Sequence, residues 1–362
     1  MESQLAIPRR SEIARAHKAR GGHVAAVLPI HYPRALLRAF DVLPMEVWGP
    51  PGVDPSRGAA HLQPYVCSIV RNALSFLDSG GVDIADLVLV PHACDSLQGL
   101  GSILIDFVNP KQPVLPLYLP RGQGEAAVDY LADEMLGLYR RLEEIFGRSP
   151  SDAQLIESIE REEAADQLLS QLHGRRCEIS LSDFEFYRLL RSREYLPAET
   201  FSDLARRTLE SAGGHAEKGI PIVLSGIVPE PMNVLRSVSE MGGRVAGDDL
   251  ACCGRRLYPR GKSPDPFLRM AESLLGGPPD PTRGSPIAER LGHLQGLVTA
   301  AGAKGVIFYD IKFCEPELFD HPGLRTGLQQ AAIPSVVVEV ELSDALPSHA
   351  LTRIEAFLEM LA

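Results

Sequence analysis

The chain has 362 residues, enough for two domains, or for one large domain, with an ample hydrophobic core. Hydrophobic residues make up 45% of it and charged residues 23%, the composition of an ordinary soluble globular protein. The formal net charge of −11 argues against a nucleic-acid partner, because phosphate backbones bind basic surfaces.

Targeting and redox features of the sequence indicate a cytoplasmic protein. The sequence contains no apolar run approaching the roughly 20 residues that cross a bilayer. Its N-terminal charges leave no apolar stretch of the kind found in secretory signals. We therefore expect no membrane partner. Six cysteines without an export signal indicate reduced thiols for metal or redox use rather than disulfides.

Residues 1–123 predict an N-terminal α/β domain. Short apolar stretches predict strands, and the segments between them predict helical crossovers. The stretch before Cys94 is apolar without alternation, as in a parallel strand covered on both faces. The predicted strands are 23–28, 45–48, 87–91 and 114–119, and the predicted helices are 9–20, 33–40, 65–77 and the segment from Cys94 to 107.

Residues 124–218 predict a helical segment in which two Ser-x-x-Gln/Glu patterns are typical of helix starts. Its predicted helices are 124–146, 151–173, one that begins near Ser182, and 197–218.

Residues 219–362 predict a second α/β domain that repeats the order of the first. Its predicted strands are 221–225, 244–246, one beginning at 305 and 335–341, its predicted helices are 231–241, 286–301, one after Cys314 and 347–361, and 259–285 is rich in proline and glycine without a predicted element. The predicted fold class is therefore α/β, with two doubly wound, Rossmann- or flavodoxin-like parallel sheets as a pseudo-repeat that faces one cleft.

Three cysteines stand where such folds place their chemistry. Cys94 and Cys314 each follow a predicted strand, and Cys67 begins the predicted helix 65–77. Ligands of open α/β sheets bind beyond the carboxyl ends of the strands. The spacing leaves two interpretations open: buried thiols that pack as small hydrophobes, or dispersed thiolates that the fold brings around an iron–sulfur cluster. Because the sequence has no CxxC pair, a zinc ribbon is disfavoured.

Five stretches in this order resemble the 2-hydroxyacyl-CoA dehydratase D-component family: YVCSIVRNAL, PHACDSLQGL, GDDLACCGRR, YDIKFCEPEL and TRIEAFLEML. That family also includes benzoyl-CoA reductase subunits and double-cubane cluster proteins. The resemblance covers the chain from about His23 to its end. It implies that Cys67, Cys94 and Cys314 ligate a [4Fe–4S] cluster. Three thiolates would leave one iron of such a cluster open.

The resemblance also implies the reaction and the partners. In the family, a separate iron–sulfur ATPase activator supplies one electron at very low potential, and the cluster passes it to the thioester carbonyl of an acyl-CoA substrate. The substrate then loses its hydroxyl group, or an aromatic ring is reduced. A homologous second subunit completes a heterodimer. Without a GxGxxG, a P-loop or a GxSxG motif, this chain itself should not bind ATP.

Further residues are candidates for the substrate site. Arg255 and Arg256 fit contacts with CoA phosphates, because Arg binds phosphate in a bidentate way, or else they are solvated loop charges. Tyr32 and Arg34 lie beyond the first strand, where they would line an acyl pocket.

Two further residues, His31 and Asp249, are candidates for proton transfer. His31, beside that pocket, is a catalytic candidate or a capping and packing residue. Asp249, at the end of a strand with Asp248, would handle protons or orient the CCGRR loop, or else cap a helix.

The sequence is also compatible with three other functions. They are a double-cubane reductase of small molecules, a non-catalytic electron-transfer or accessory subunit, and a zinc-binding or cluster-free scaffold. For the adjacent pair Cys252 and Cys253, we predict that Cys252 lies near the cluster without ligating it and that Cys253 packs behind the loop. The reason is that neighbouring side chains of an extended segment point in opposite directions, unless the chain makes a sharp turn, which Gly254 would permit.

Overall fold

The computed structural model describes residues 5–50, 52–213, 218–342 and 345–362. Within these ranges the chain forms two four-stranded parallel sheets. The strands are β1 (His23–Val27), β2 (Val42–Glu46), β3 (Leu87–His92) and β4 (Val114–Tyr118) in the first sheet, and β5 (Ile220–Gly226), β6 (Gly243–Leu250), β7 (Gly305–Ile311) and β8 (Ser335–Val340) in the second. Their spatial orders, β2-β1-β3-β4 and β6-β5-β7-β8, are the same. The predicted α/β fold with two doubly wound sheets in a pseudo-repeat is therefore confirmed.

Helices connect the strands and fill the middle of the chain. In the first half they are α1 (Arg10–Ala19), α2 (Arg34–Ala39), α3 (Ser56–Ala59), α4 (Ser68–Asp78) and α5 (Asp95–Ile103). The middle contains α6 (Glu125–Phe146), α7 (Asp152–Gly174), α8 (Asp183–Ser192) and α9 (Ala198–Glu210). The second half contains α10 (Asn233–Glu240), α11 (Pro266–Leu275), α12 (Ile287–Ala301), α13 (Glu315–Gln330) and α14 (Ser348–Leu361). Among the described residues, no helix is both long and apolar enough to cross a membrane.

Several predicted boundaries differ from the structure by two residues or more, including those of β2, β6 and α9. The strand predicted at 45–48 is β2, which starts at Val42 and includes Pro44; an edge strand tolerates proline because one row of its amides needs no partner. The strand predicted at 244–246 continues as β6 to Leu250, since both of its aspartates are buried and bonded. The helix predicted at 197–218 ends at Glu210, and positions 214–217 lie outside the described residues.

Helix α11 lies in the stretch rich in proline and glycine, where the sequence predicts no element. Its N-cap, Asp265, accepts hydrogen bonds from the amides of Phe267 and Leu268, and Pro266 occupies the first turn. Proline at this position favours a helix start, because its fixed φ suits the helix and its missing N–H would have no partner there. The prolines of this stretch are therefore not all loop residues, because Pro266 begins a helix.

Each sheet is covered by helices on both faces. Val24, Ala26 and Leu28 point into one large cluster that continues through α4, α5 and α8–α10 to the second sheet. The other face of the first sheet packs against α2, α6, α7 and α11. The far face of the second sheet packs against α12 and α13. The large cluster joins the two halves, so the cleft between the sheets is backed by a continuous apolar core.

Helix α11 belongs to the second half in sequence but packs on the first. Met270 and Leu274 lie in the same buried cluster as Ala25 and Val27 of β1. The packing of α11 holds the segment after β6 over the first sheet. It also carries the residues after α11 back to the cleft.

The packing of α11 predicts a measurable loss of stability. Replacing Met270, which is 5% exposed, with Ala should lower the free energy of unfolding by about 2–5 kcal/mol, because it leaves a cavity in the core of the first half. Met360→Ala is the matched control: that side chain is 64% exposed, so its loss should change the value by about 0.5 kcal/mol or less. Urea unfolding measures both. Equal effects of the two substitutions would show that α11 does not contribute to the core.

Candidate functional site

The three candidate cysteines occupy equivalent positions in the fold. Cys67 is the N-cap of α4, Cys94 the N-cap of α5 and Cys314 the N-cap of α13. Cys94 follows β3 and Cys314 follows β7, each the third strand of its half. Cys67 and Cys314 are buried, and Cys94 is partly exposed. Cys67 and Cys314 belong to the large core cluster that joins the two sheets, and Cys94 packs against it.

The electrostatics of these thiols indicate that they lie close together. Burial raises the pKa of Cys94 to about 12, a shift to which the Cys67 thiolate contributes. Burial also raises the pKa of Cys314, to which the charges of Cys67 and Cys94 both add. Burial raises the pKa of Cys67, although the amides of Val70 and Ile69 at the start of α4 oppose it. Three thiolates in this place therefore need a cationic partner, whereas three protonated thiols do not.

Polar contacts hold the carboxyl ends of the two sheets against each other. Ser68 Oγ accepts a hydrogen bond from the N–H of Leu342 (3.0 Å), and Asn72 Nδ2 donates to the carbonyl of Leu342 (3.3 Å). These bonds join the start of α4, next to Cys67, to the segment that follows β8. The first turn of α4 is thereby fixed in the cleft.

A cavity of about 360 Å³ opens beside Cys94, between the two halves. The first half contributes Cys94 and the exposed pair Asp95 and Arg121, whose Oδ1 and Nη2 atoms are 3.0 Å apart. The second half contributes Thr282 and, among its apolar residues, Phe319, which is 78% exposed. The cavity therefore offers both apolar surface and polar groups next to one of the three thiols.

Glu46, at the end of β2, gathers three of the predicted substrate residues. Its carboxylate accepts hydrogen bonds from Tyr32 Oη (2.8 Å), Arg34 Nη2 (3.2 Å) and both terminal nitrogens of Arg256 (2.9 and 2.6 Å). Burial would raise the pKa of Glu46, but Arg256 and Arg34 outweigh it and hold that pKa below its usual value. Tyr32, Arg34 and Arg256 are therefore buried and paired within the protein, and they lie outside the wall of the Cys94 cavity.

Arg255 and Asp249 form a second buried network. Arg255 donates to both oxygens of Asp249 (2.9 Å each) and to Glu317 Oε1 (2.5 Å) of α13. Arg290 of α12 donates to the other oxygen of Glu317 at 3.0 Å. Burial opposes ionisation of Glu317, but Arg255 and Arg290 outweigh it and lower its pKa to about 2. Because Glu317 lies one turn after Cys314, the network fixes the start of α13.

His31 lies between these networks, with a φ of 61° that places its backbone in the left-handed region. Its Nδ1 is 3.2 Å from Tyr258 Oη, and its Nε2 is 3.2 Å from Thr282 Oγ1. Asp280 Oδ2 is 3.7 Å from the same Nε2. Burial lowers the pKa of His31, although Asp280 opposes the shift. The neutral ring thus connects the first half with two residues of the second.

Cys252 and Cys253 do not point in opposite directions. Their sulfur atoms are 3.5 Å apart and both are buried. The backbone turns at residues 251–253, and a short helical turn follows from Gly254, whose amide donates to Asp248 Oδ1 (2.7 Å). The assumption of an extended segment was wrong for this reason. The expected distance of Cys252 from a cluster stays a prediction.

The donor set fits an iron–sulfur cluster better than a single metal ion. Across the described parts of the chain, no group of three or more His, Cys, Asp or Glu side chains is arranged around one ion position. A cluster needs no such convergence, because each thiolate binds a different iron. The three thiols are soft donors, are close together and begin helices, whose N-termini favour anionic groups. These are the residues that would hold a cluster.

Sequence reasoning missed the buried acids that organise the site. No sequence motif identifies Glu46, Asp280 or Glu317 as a site residue. In the structure, each carboxylate forms an ion pair with an arginine of another element. One signal was available: Glu46 is a lone carboxylate in the otherwise apolar stretch VLPMEVW. A charged residue in a buried strand predicts a buried partner.

Asp310, near the end of β7, gives a pH-dependent prediction. In the part of the chain that the structure describes, neither of its carboxyl oxygens has a hydrogen-bond partner. Burial, with Glu317 and Glu339, raises its pKa from 3.8 to about 8. The folded state therefore favours the protonated acid, and stability falls as the pH rises between about 4 and 8. Asp310→Asn should unfold at a higher temperature than the wild type at pH 8, with the difference vanishing near pH 4.

Asp203→Asn, at an exposed ion pair, is the control for this measurement and should change the unfolding temperature little at either pH. If Asp310→Asn destabilises the chain at pH 8, Asp310 is ionised and paired in the folded state.

Comparisons with known proteins add to this geometry. The model of the family "2-hydroxyglutaryl-CoA dehydratase, D-component" matches residues 29–361. The chain is 24% identical to the (R)-phenyllactyl-CoA dehydratase beta subunit of Clostridium sporogenes, with 94% of this chain and 92% of that protein covered. It is 25% identical to the (R)-2-hydroxyglutaryl-CoA dehydratase subunit beta of Acidaminococcus fermentans, with 95% and 94% covered.

A reductase subunit is similar as well. A benzoyl-CoA reductase subunit of Thauera aromatica is 24% identical over 86% of this chain and 84% of its own length. The alignments thus run through both sheets and the helical middle. Since the family model spans nearly the whole sequence, the chain belongs to the 2-hydroxyglutaryl-CoA dehydratase D-component family.

Proposed function

We propose that this chain is the iron–sulfur subunit of an ATP-activated radical enzyme, of the acyl-CoA dehydratase or aryl-CoA reductase type. Cys67, Cys94 and Cys314 would hold one [4Fe–4S] cluster. The observation that carries the proposal is that three thiols from both halves begin helices at one cleft, beside a cavity. When bound, such a cluster supplies one-electron chemistry at low potential.

The cavity beside Cys94 supports an acyl-CoA substrate. Ile287 and Phe319 offer apolar surface for an acyl group, and both are well exposed. Arg121 is an accessible cation at the rim, with 66% of its side chain exposed. An exposed guanidinium can bind a phosphate without breaking a buried pair, so Arg121 joins the candidates for CoA recognition.

The roles predicted for other residues stay proposals. Arg255 and Arg256 are held by carboxylates, and substrate contact would require one of those pairs to open. Asp249 likewise faces Arg255, which favours the role of orienting the CCGRR loop. Tyr32 and Arg34 are bonded to Glu46 and line, with His31, a separate pocket of about 70 Å³.

Two partners follow from the proposal. The relatives are themselves named as subunits of their enzymes, which supports a second subunit for this chain. The family resemblance adds a separate iron–sulfur ATPase as activator, because the sequence carries no nucleotide-binding motif of its own. We place the complex in the cytoplasm, where such thiols stay reduced.

The cluster is tested by its iron content. Anaerobic reconstitution should give about four irons per chain, and replacing Cys67, Cys94 or Cys314 with Ala should remove most of them. Cys177→Ala is the matched control, because that thiol is exposed and contacts Arg244 at the start of β6, the opposite end of the strand from the cleft. A triple variant of the three cysteines that retains its full iron content would sink the proposal.

The same measurement of iron content tests the adjacent cysteines Cys252 and Cys253. Cys252→Ser should keep the full iron content. Loss of half or more of the iron would identify Cys252 as a ligand, and roughly eight irons in the wild type would favour a double-cubane reductase.

The need for a separate ATPase is tested by thermal unfolding. Millimolar ATP should leave the melting temperature of the chain unchanged, because a ligand that does not bind the native state cannot stabilise it. An unrelated ATP-binding protein serves as the positive control. A clear upward shift with ATP would show that this chain binds the nucleotide itself.

A further inference from the structure

A line of hydrogen-bonding side chains crosses the wall between two open spaces of the molecule. On one side is the 360 Å³ cavity that contains Cys94 and is lined by Thr282. On the other is a groove of about 550 Å³, lined by Tyr258 and by the exposed residues Pro259 and Arg260. His31, which is 3% exposed, lies between Thr282 and Tyr258 and bonds to both.

The contacts define the direction of each hydrogen bond. Thr282 Oγ1 donates to Asp280 Oδ1 (2.5 Å), so it accepts from the Nε2–H of His31. The Nδ1 of the same ring then accepts from the hydroxyl of Tyr258. The hydroxyl of Tyr258 and the Nε2–H of His31 thus both point from the groove towards Thr282 in the cavity wall. Once the Thr282 hydroxyl turns from Asp280 to the cavity, a proton can pass along this line by exchange between neighbours.

Asp280 supplies the charge that such a passage needs. Its Oδ2 is buried, has no hydrogen-bond partner among the described residues and is 3.7 Å from His31 Nε2. Burial opposes ionisation, but contacts with His31, Arg255 and Thr282 outweigh it and keep the pKa of Asp280 low. A carboxylate that stays ionised beside the ring stabilises a transient imidazolium. The other charged groups around His31 are Arg256, Arg283, and across a small pocket Arg34, Arg193, Glu162, Glu163 and Asp166.

We propose that Tyr258, His31 and Thr282 form a proton relay between the outer groove and the Cys94 cavity, with Asp280 as its counter-charge. The inference rests on the proposed function, which places acyl-CoA chemistry in that cavity. A hydroxyl group that leaves as water takes up a proton, and so does an aromatic ring that is reduced. A cavity filled by substrate needs a path for that proton, and the relay is a hydrogen-bonded path that the described residues provide.

In one inward passage, a proton from the groove solvent passes to Tyr258 Oη, while the proton of Tyr258 moves to His31 Nδ1. The Nε2 proton of His31 moves to Thr282 Oγ1, whose hydroxyl turns from Asp280 and gives its own proton to the acceptor in the cavity. One proton enters, one is delivered and no electron moves. In a dehydration, the proton lost from carbon makes the return passage and restores the starting tautomer of His31.

The kinetic test uses the complete enzyme with its partner and activator. Tyr258→Phe removes only the groove-side hydroxyl, and it should lower kcat on the order of a hundredfold with KM unchanged. The solvent isotope effect on kcat should rise, because proton delivery becomes limiting. Tyr130→Phe, on the exposed surface of α6, is the matched control and should leave both values as in the wild type. Equal kcat and isotope effect in Tyr258→Phe and the wild type would overturn the relay.

A rescue experiment separates proton transfer from a structural role. His31→Gly suits the backbone, because glycine accepts a positive φ, and it leaves a space of imidazole size. Added imidazole should restore a large part of kcat, with a pH profile that follows the pKa of the added base. Thr282→Ser should retain activity and Thr282→Val should lose it. Restoration by a non-basic filler such as cyclopentanol to the same extent as imidazole would assign His31 a packing role only.

A further readout needs no turnover and so remains informative if the proposed function fails. In the full chain labelled with ¹⁵N-histidine, the His31 resonances are identified by their loss in His31→Gly. Tyr258→Phe should shift the Nδ1 resonance and Thr282→Val the Nε2 resonance. Absence of both shifts would show that the ring is not part of the chain of hydrogen bonds. Wild-type protein without iron or turnover, but with both shifts, would contradict the proposed function alone.

Discussion

The carboxylate of Glu46 is the charged group on which the joint between the two halves depends. It is 2% exposed at the end of β2 and bonds to Arg256, which follows β6 in the other sheet. A carboxylate buried without cations is expensive, so the arrangement is stable only when both halves are in place. The carboxyl ends of the two sheets are therefore held against each other. The helices that start there bring their cysteines into the same cleft.

The second network, around Arg255, fixes the start of α13. Arg255 is fully buried, binds Asp249 from β6 and reaches Glu317, one turn after Cys314. Such a pair adds little net stability once desolvation is counted, but breaking it leaves an unpaired buried charge. Its effect is geometric: the helix that begins at Cys314 is tied to the sheet that ends beside it. Both arginines that the sequence offers for substrate, Arg255 and Arg256, are thus bonded to buried carboxylates.

The chemistry of the cleft follows from what surrounds the thiols. Burial disfavours the thiolate form at each of the three cysteines, and the Cys67 thiolate further disfavours ionisation of Cys94 and Cys314. A bound cationic group replaces the protons and reverses that penalty, so metal loading and thiol ionisation are coupled. The cavity beside Cys94 lies at this point, and Thr282 in its wall connects it through His31 to the outer groove. The thiols and the line of hydrogen bonds are therefore adjacent in one fold.

The sequence alone predicts the class of fold, the order of the eight strands, the helices other than α3 and α11, and the strand-end positions of Cys94 and Cys314, because apolar runs and helix starts are local signals. It also contained the motifs of the family. Only the folded structure shows which side chains contact each other. That Arg256 pairs with Glu46, that His31 lies between Tyr258 and Thr282, and that α11 packs on the opposite half depend on contacts between residues up to 251 positions apart. A pattern along the chain records a residue's own burial and periodicity, but a pairing across a cleft depends on how two separately formed sheets are placed against each other.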